Sequence, residues 1–480
     1  MVSKDSFVLY AVFFVFRAGA ETVEDFTSLY LKELGYDEFY IGLIPLFGLV
    51  TQLTGVPICG YLADKFQMLK FILILSVLIN IPTVLMYVIP REINLPCKKT
   101  TQKDESKLFY NKTQAEFINR SLNLKEYTNA SNYMTLNNLT DYKDAWSDGS
   151  GLRLWYFVFL CFLSGIFELC RRLAVGLVTV AAVNYANNNK FKFTCCFGCG
   201  TIGAGLTICT VSIAAGYFKY TRCAVETPSF SIAFPVAAAL HCFMLFGVMW
   251  LKFDYEEKTE KVYLSEAIRT LMKREHILIL CIGLHVGACD GFFSRWQYWY
   301  LLKIGASTTF MGVERLLKRL ILGAFWYLAT SQVLNRLGKH ITMTLSLLSF
   351  AVSFAFLALM ENPWLVVFVD NFEYPGYTLF FTAAVFHFSN SESESLFAHI
   401  QGMLSLIING IGKDVGSMLT GYLFKECGIR ITLYGYSVVS LVWCIVLVVY
   451  TLKSQEAHHY ERVEIEKGME LKNTKEIAKQ

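Results

Sequence analysis

Apolar residues in this chain gather into runs of about 20 or more, long enough as α-helix to cross roughly 30 Å of hydrocarbon. The runs fall at 6–31, 39–62, 69–89, 152–185, 194–218, 231–251, 277–302, 310–334, 341–360, 364–388, 398–424 and 431–452. Short polar turns separate most of them, and longer polar stretches interrupt the pattern at 91–151, 252–276 and 453–480. This pattern predicts an all-α polytopic membrane protein with about twelve transmembrane helices. The first run carries Lys4, an apolar stretch over 7–16 and Ala18-Gly19-Ala20, which together imitate a cleavable signal peptide. Arg17 breaks the imitation and apolar character resumes at 26–31, so the run is read as a retained helix.

Composition agrees with a bilayer environment. Of 480 residues, 54% are hydrophobic, 15% aromatic and 17% charged, too little polar material to coat a soluble globule of that size. The net charge of +4 is small and the basic residues concentrate in loops and the tail, which argues against a nucleic-acid partner. No Gly-rich phosphate loop or nucleophile elbow stands in a suitable context, so neither an ATP-driven pump nor a hydrolase is expected, and no cofactor or metal.

The stretch 91–151 holds Asn111, Asn119, Asn129 and Asn138, each the first residue of an Asn-x-Ser/Thr acceptor. Glycosylation reaches only the lumenal or extracellular face, so this cluster orients the chain. With the insert outside after the third helix, both termini, the linker 252–276 and the tail 453–480 fall in the cytosol. Short inside connections then hold Lys65, Lys70, Lys190, Lys192, Arg336 and Lys339, and the outer turn 361–363 has no Lys or Arg, as the positive-inside rule asks. Lys219, Arg222, Lys425 and Arg430 run against it. Plasma membrane is the default destination. Most of the 14 cysteines are intramembrane; Cys97, Cys223 and Cys427 fall outside, and a Cys97 to Cys223 pairing is left open.

The two halves of the chain repeat one another. Gly60 to Lys65, closing the second helix, aligns with 331–340, closing the eighth, and Gly216-Tyr217 at the end of the fifth aligns with Gly421-Tyr422 at the end of the eleventh. Correspondences six helices apart imply a six-plus-six duplication. It divides the chain into a first bundle, 1–251, with the glycosylated insert 91–151; a linker, 252–276; a second bundle, 277–452; and a charged tail, 453–480. Asp64 and Lys65, with Asn335 and Arg336, are expected to act as a gate between the bundles at the cytosolic end.

At this point the chain resembles the major facilitator superfamily. Gly60-x-x-x-Asp64-Lys65 with Lys70 is similar to the loop signature after its second helix, and Arg172-x-x-x-Gly176 to that of its fourth. Gln67-Met68-Leu69 departs from the loop signature, replacing its second Gly and adjoining Arg pair. Tyr30-Leu31-Lys32-Glu33-Leu34-Gly35 with Ile41-Gly42, Glu361-Asn362-Pro363-Trp364, Gln401-Gly402 and Gly410-Ile411-Gly412-Lys413 are similar to the animal branch called major facilitator superfamily domain-containing protein six. That branch lies in a wider group with sugar and nucleoside proton symporters. The resemblance implies two six-helix bundles working by alternating access.

Charged groups inside apolar helices mark the chemistry, because each costs a few kcal/mol unless paired or wetted. Arg17, Glu21 and Asp25 recur every four residues on one face of the first helix, and Glu168 and Arg172 repeat that spacing in the fourth, flanked by Arg171. A Glu21 to Arg172 pair across the first bundle fits that spacing, either as a proton or anion site or as a structural ion pair. In the second bundle Asp290, Asp370, Glu373, Lys413 and Asp414 fall within a few turns of their helix centres, although Asp370 and Glu373 are near the outer end, where water reaches. The resemblance to proton symporters implies that Asp290 pairs with Lys413 while Glu373 takes the proton. Arg17, Glu168 and Trp296 are candidates to line the substrate cavity.

Other residues have plainer readings. His241, His285 and His387 are expected to be interhelical hydrogen-bonding groups. Glu314, Arg315, Lys318 and Arg319 form a polar face at the outer start of the eighth helix, with a substrate-anion site as the alternative, and Trp296 to Tyr300 an interfacial aromatic belt. Cys195, Cys196 and Cys199 lie among glycines that favour close helix packing over metal binding. The expected function is secondary transport of a small polar or organic solute with proton coupling. The competing class is a receptor or accessory protein that binds an extracellular partner through the glycosylated insert.

Overall fold

The computed structural model describes residues 4–89, 150–188, 193–222, 225–251, 264–389 and 394–477. The four acceptor asparagines, Cys97 and Cys223 lie outside the described residues. Among the described residues fifteen α-helices follow one another: α1 (Lys4–Glu33), α2 (Glu38–Lys65), α3 (Leu69–Met86), α4 (Ser150–Asn188), α5 (Phe193–Tyr217), α6 (Ala233–Trp250), α7 (Leu264–Leu271), α8 (Arg274–Arg295), α9 (Gln297–Lys303), α10 (Thr308–Leu317), α11 (Gly323–Leu359), α12 (Val366–Ser389), α13 (Glu394–Ser405), α14 (Lys413–Glu426) and α15 (Ile429–Ile477). Between α5 and α6 a short antiparallel hairpin pairs β1 (Lys219–Arg222) with β2 (Val225–Pro228), an element the hydrophobic pattern did not foreshadow.

Among the described residues eight helices are long and apolar enough to cross a membrane. The four remaining expected runs, 152–185, 310–334, 364–388 and 398–424, are those that carry clustered charge: Glu168, Arg171 and Arg172; Glu314 to Arg319; Asp370 and Glu373; Lys413 and Asp414. They fall short of plain apolar spans because they build the polar interior of a polytopic all-α protein. Two of them also break into π-helical turns beside the charges, at Lys318–Leu322 and at Leu406–Gly412 just before Lys413. Such turns redirect side chains and gather at functional sites. The expected eighth run comprises α10, the π turn and the start of α11, and it is separated from the ninth by a break within α11 at Gly338, whose φ of +76° only glycine adopts without strain. The last helix continues to Ile477, well past the apolar run.

Packing joins the two halves of the chain at one end. There α14 lies along α2 and α10 along α5. A Cβ on Gly421 would meet the Glu38 carbonyl oxygen and Gly42 Cα, one on Gly216 would meet the Thr308 hydroxyl, and one on Gly312 would meet Ser212 and Cys209. The repeated Gly-Tyr positions of the sequence are therefore equivalent close approaches, each letting a helix of one half touch the other. At this closed end a single apolar core includes Phe26, Tyr30 and Phe234 of the first half with Trp299, Phe354 and Phe424 of the second. Lys425 donates to Asp37 at 2.9 Å, and Lys303 lies 3.9 Å from Glu38. Toward the other end a separate core, containing Leu9, Val12, Val77, Val178 and Val248, draws only on the first half.

Candidate functional site: a charged cavity between the two halves

One face of α1 runs Phe13, Phe16, Arg17, Ala20, Glu21, Glu24 and Asp25 along a cavity of ≈ 380 Å³. Twelve steps of 1.5 Å from Phe13 to Asp25 make that face about 18 Å long. The opposite wall comes from the second half: Asp290 on α8, Arg315 on α10, Lys318 and Arg319 in the first π turn, Glu373, Tyr374 and Tyr377 on α12, Asn409 in the second π turn, and Lys413 on α14. Arg171 and Arg172 reach in from α4.

Buried carboxylates and cations persist in an apolar span only if they neutralise one another, and here they do so across the cavity. Glu21 receives the Arg17 guanidinium from one turn earlier, Nε to Oε1 at 2.7 Å, and also meets Arg319. Asp25 faces Arg315, whose Nε is 3.5 Å from Oδ2, and Arg319 at 3.9 Å. Deeper toward the closed end, Lys413 Nζ lies 2.6 Å from Glu24 Oε1 and 3.4 Å from Asp290 Oδ2. Arg295 donates to Asp414 Oδ1 at 2.7 Å and lies 3.9 Å from both Glu24 and Glu168. Arg171 donates to Glu168 Oε2 at 2.6 Å. A third group centres on Lys318, whose Nζ is 2.6 Å from Glu373 Oε2 and 3.0 Å from Asp370 Oδ1, with Gln297 donating to the same Asp370 oxygen at 2.9 Å.

Several sequence expectations meet a different geometry. Glu21 does not pair with Arg172. Its partners are Arg17 and Arg319, whereas Arg172 donates to the Asn409 carbonyl at 2.7 Å and lies 3.9 Å from Glu168. The expected Asp290 to Lys413 contact is present, but Lys413 is closer to Glu24. Asp370 and Glu373 are not at an exposed outer end: they are 1% and 7% exposed, held by Lys318, with Glu373 on the cavity wall. Glu314, Arg315 and Lys318 are likewise buried at the bundle centre and not an outer polar face. Trp296 is fully buried, donating Nε1 to the Ser417 carbonyl at 3.0 Å and packing on Trp299 and Phe424, so it seals the closed end and does not line the large cavity. The aromatic residues Tyr298 to Tyr300 are buried with it, not spread along an interface. His285 bonds Ser440 between helices at 2.8 Å, His241 bonds the Ala237 carbonyl of its own helix, and His387 meets His276 at 3.1 Å.

The gate residues stand at the opposite end. Lys65 lies 5.6 Å from the Tyr61 ring and 5.7 Å from that of Phe66, and Asn335 and Arg336 are exposed. Among the described residues no hydrogen bond or ion pair joins Lys65 to Asn335 or Arg336; the Asp64 side chain is outside the description. Among the described residues the interhalf ion pairs run from mid-span to the closed end, and none of them involves Phe13, Val178 or Phe197 at the other end of the cavity. Arg295, with Arg319 and Lys318, completes the network in roles the sequence did not assign. Arg295 was legible by the same rule as Asp290, a charge within an apolar run.

The model of the MFS_1 like family matches residues 7–465. The fold is similar to that of the nucleoside transporter NupG, at 14% identity and TM-score 0.66 over 93% of this chain and 99% of that one. A POT family transporter in complex with a thioalcohol conjugated peptide matches at 11% identity and TM-score 0.60 over 93% and 96% of the two chains. A D-xylose-proton symporter matches at 10% identity and TM-score 0.59 over 92% and 96%. At such identities the likeness is one of fold.

Proposed function

This chain belongs to the MFS_1 like family, and from that premise we propose that it is a secondary transporter that moves a small polar or organic solute by alternating access, coupled to protons. The observation that carries the reading is the cavity of ≈ 380 Å³ lined by both halves, with the close glycine approaches between the halves gathered toward one end among the described residues. That volume suits a small solute, and ion pairs spanning the halves, Glu21 to Arg319 and Glu24 to Lys413, are contacts that a rocking motion breaks and remakes. A receptor held rigid in the membrane has little use for so many buried charges facing a void. Within the superfamily we assign the chain to the animal branch named above, on the motifs at 30–35, 361–364 and 410–413.

With the glycosylated insert outside, both termini are cytosolic, the membrane is the plasma membrane, and the conformation described is closed outward and open inward. The cavity supplies polar handles at Arg17, Arg172, Tyr374, Tyr377 and Asn409 for a solute, and Asp290, Glu373 and Lys413 for the coupling ion. Uptake into proteoliposomes with and without an inward proton gradient tests the proposal. Gradient-driven flux is expected to fall in Glu373→Gln and in Asp290→Asn; unchanged flux in both overturns the site assignment.

A further inference from the structure

Five carboxylates and seven cations line the cavity between the halves. Each of the five carboxylates lies within 3.5 Å of a cation. Six of the seven cations are answered in the same way, Arg171 by Glu168 behind the wall. Among the described residues the seventh, Arg172 on α4, is not. Its nearest carboxylate is Glu168, 3.9 Å away, and the Oε2 atom it faces already accepts two bonds from Arg171, at 2.6 and 3.0 Å.

Of the N–H donors of its guanidinium, Arg172 uses one, from Nη2 to the Asn409 carbonyl at 2.7 Å, and its Nε is buried with no acceptor. The Asn409 side chain is engaged elsewhere: it accepts the Tyr377 hydroxyl at 2.7 Å and donates to Ser405 at 3.1 Å. Arg172 is 20% exposed, on the cavity wall. A cation so placed without a counter-ion favours a further negative group beside it. Farther along the same helix, Val175 and Val178 line the cavity together with Phe13 and Phe197, whose rings lie 5.4 Å apart. From Arg172 to Val178 the helix rises about 9 Å. The wall therefore offers a cation that no carboxylate answers and, beside it, an apolar stretch the length of a short hydrocarbon chain. A neutral or cationic solute meets only charges that are already matched.

We propose that the solute is a small organic carboxylate, its acid group bound by Arg172 and its apolar body lying along Val175, Val178, Phe13 and Phe197. A carboxylate matches the planar donor fork of a guanidinium and supplies the counter-charge that Arg172 lacks. Arg172 belongs to the first half and the carbonyl it now holds to the second. An acid group taken up by the guanidinium competes with that carbonyl, so the solute acts on a contact between the halves. The assignment names the solute of the transport reading and rests on it; the anion site itself is measurable without flux.

Thermal unfolding of the purified full-length protein in lipid nanodiscs, titrated with benzoate and hexanoate and with the matching amides, tests it, because a ligand that binds the folded state raises the unfolding temperature. Both acids are expected to stabilise the wild type and the amides are not. Arg172→Gln should weaken the acids by about tenfold or more, and Arg172→Lys, which keeps the charge without the fork, by less. Val175→Glu tethers a carboxylate one turn from Arg172 and should exclude the acids as well; it gives the answer where Arg172→Gln does not fold. Acids that stabilise no better than their amides overturn the proposal, as does an acid affinity unaltered in folded Arg172→Gln or, failing that, in Val175→Glu. Uptake into proteoliposomes is read separately. Acid binding through Arg172 with no flux keeps the anion site and removes the transport reading, whereas flux of neutral solutes with no acid binding keeps transport and removes the carboxylate.

Discussion

The Lys413 ammonium on α14 lies 2.6 Å from Oε1 of Glu24 on α1, an ion pair that ties the second half of the chain to the first at the cavity wall. Neither group has a comparable partner within its own half. Glu24 has Arg171 of its own half only at 3.8 Å, and Lys413 has Asp290 at 3.4 Å.

Removing one member of that pair leaves the other charge buried and undercompensated. Glu24→Gln and Lys413→Met are each expected to destabilise this conformation by about 3–5 kcal/mol, and the double variant by less than the sum. Thermal unfolding of the purified protein measures both. Strictly additive losses would show that the pair carries no coupling.

The closed end depends on residues without side chains. A leucine at Gly421 has no room beside the Glu38 carbonyl and Gly42, so Gly421→Leu is expected to hold that end open. Ser417, 1% exposed there, supplies the reporter. In a background lacking other outer thiols, Ser417→Cys should resist an impermeant maleimide added from the insert side and react once Gly421→Leu is added. Equal reactivity in both backgrounds would contradict the packing account.

Trp296 acts through packing and not through a solute. Trp296→Ala should cost about 3–5 kcal/mol of stability by emptying the space between Trp299 and Phe424, and Trp296→Phe about 1 kcal/mol through the lost bond to Ser417. Substrate preference should stay unaltered in Trp296→Phe. A changed preference across a panel of ring-bearing and aliphatic solutes would return this residue to the cavity.

Sugar chemistry tests the proposed orientation. Glycosidase treatment should raise the mobility of the wild type, and replacement of Asn111, Asn119, Asn129 and Asn138 together by Gln should abolish the change. No mobility change in the wild type would undo the inside and outside assignment.

Much of the architecture was legible because the bilayer imposes length and polarity on every crossing segment. Eight runs satisfied that demand outright, and the four that did not were conspicuous for their charges. The Gly216 and Gly421 correspondence was visible as letters and proved to be a pair of equivalent close approaches, since spacing along a helix maps directly onto a face.

Partnership was not legible. Arg172 and Glu21 carry the right signs at the right depth, yet which cation reaches Glu21 depends on how α10 and its π turn lie against α1, and Arg319 arrives first. Glu314 read as part of an outward polar face with Arg315, Lys318 and Arg319. Its burial at 2% exposure, with no donor reaching either oxygen, is decided by how the helices pack around it. Trp296 likewise turns from candidate platform to seal because α8 breaks there and swings its ring under Phe424. The sequence by itself determined a charged, polytopic helical chain in two related halves, because hydrocarbon thickness and desolvation cost act on each segment alone. Tertiary structure decided which charges cancel and which end is shut, because those depend on the distance between helices that are far apart in the chain.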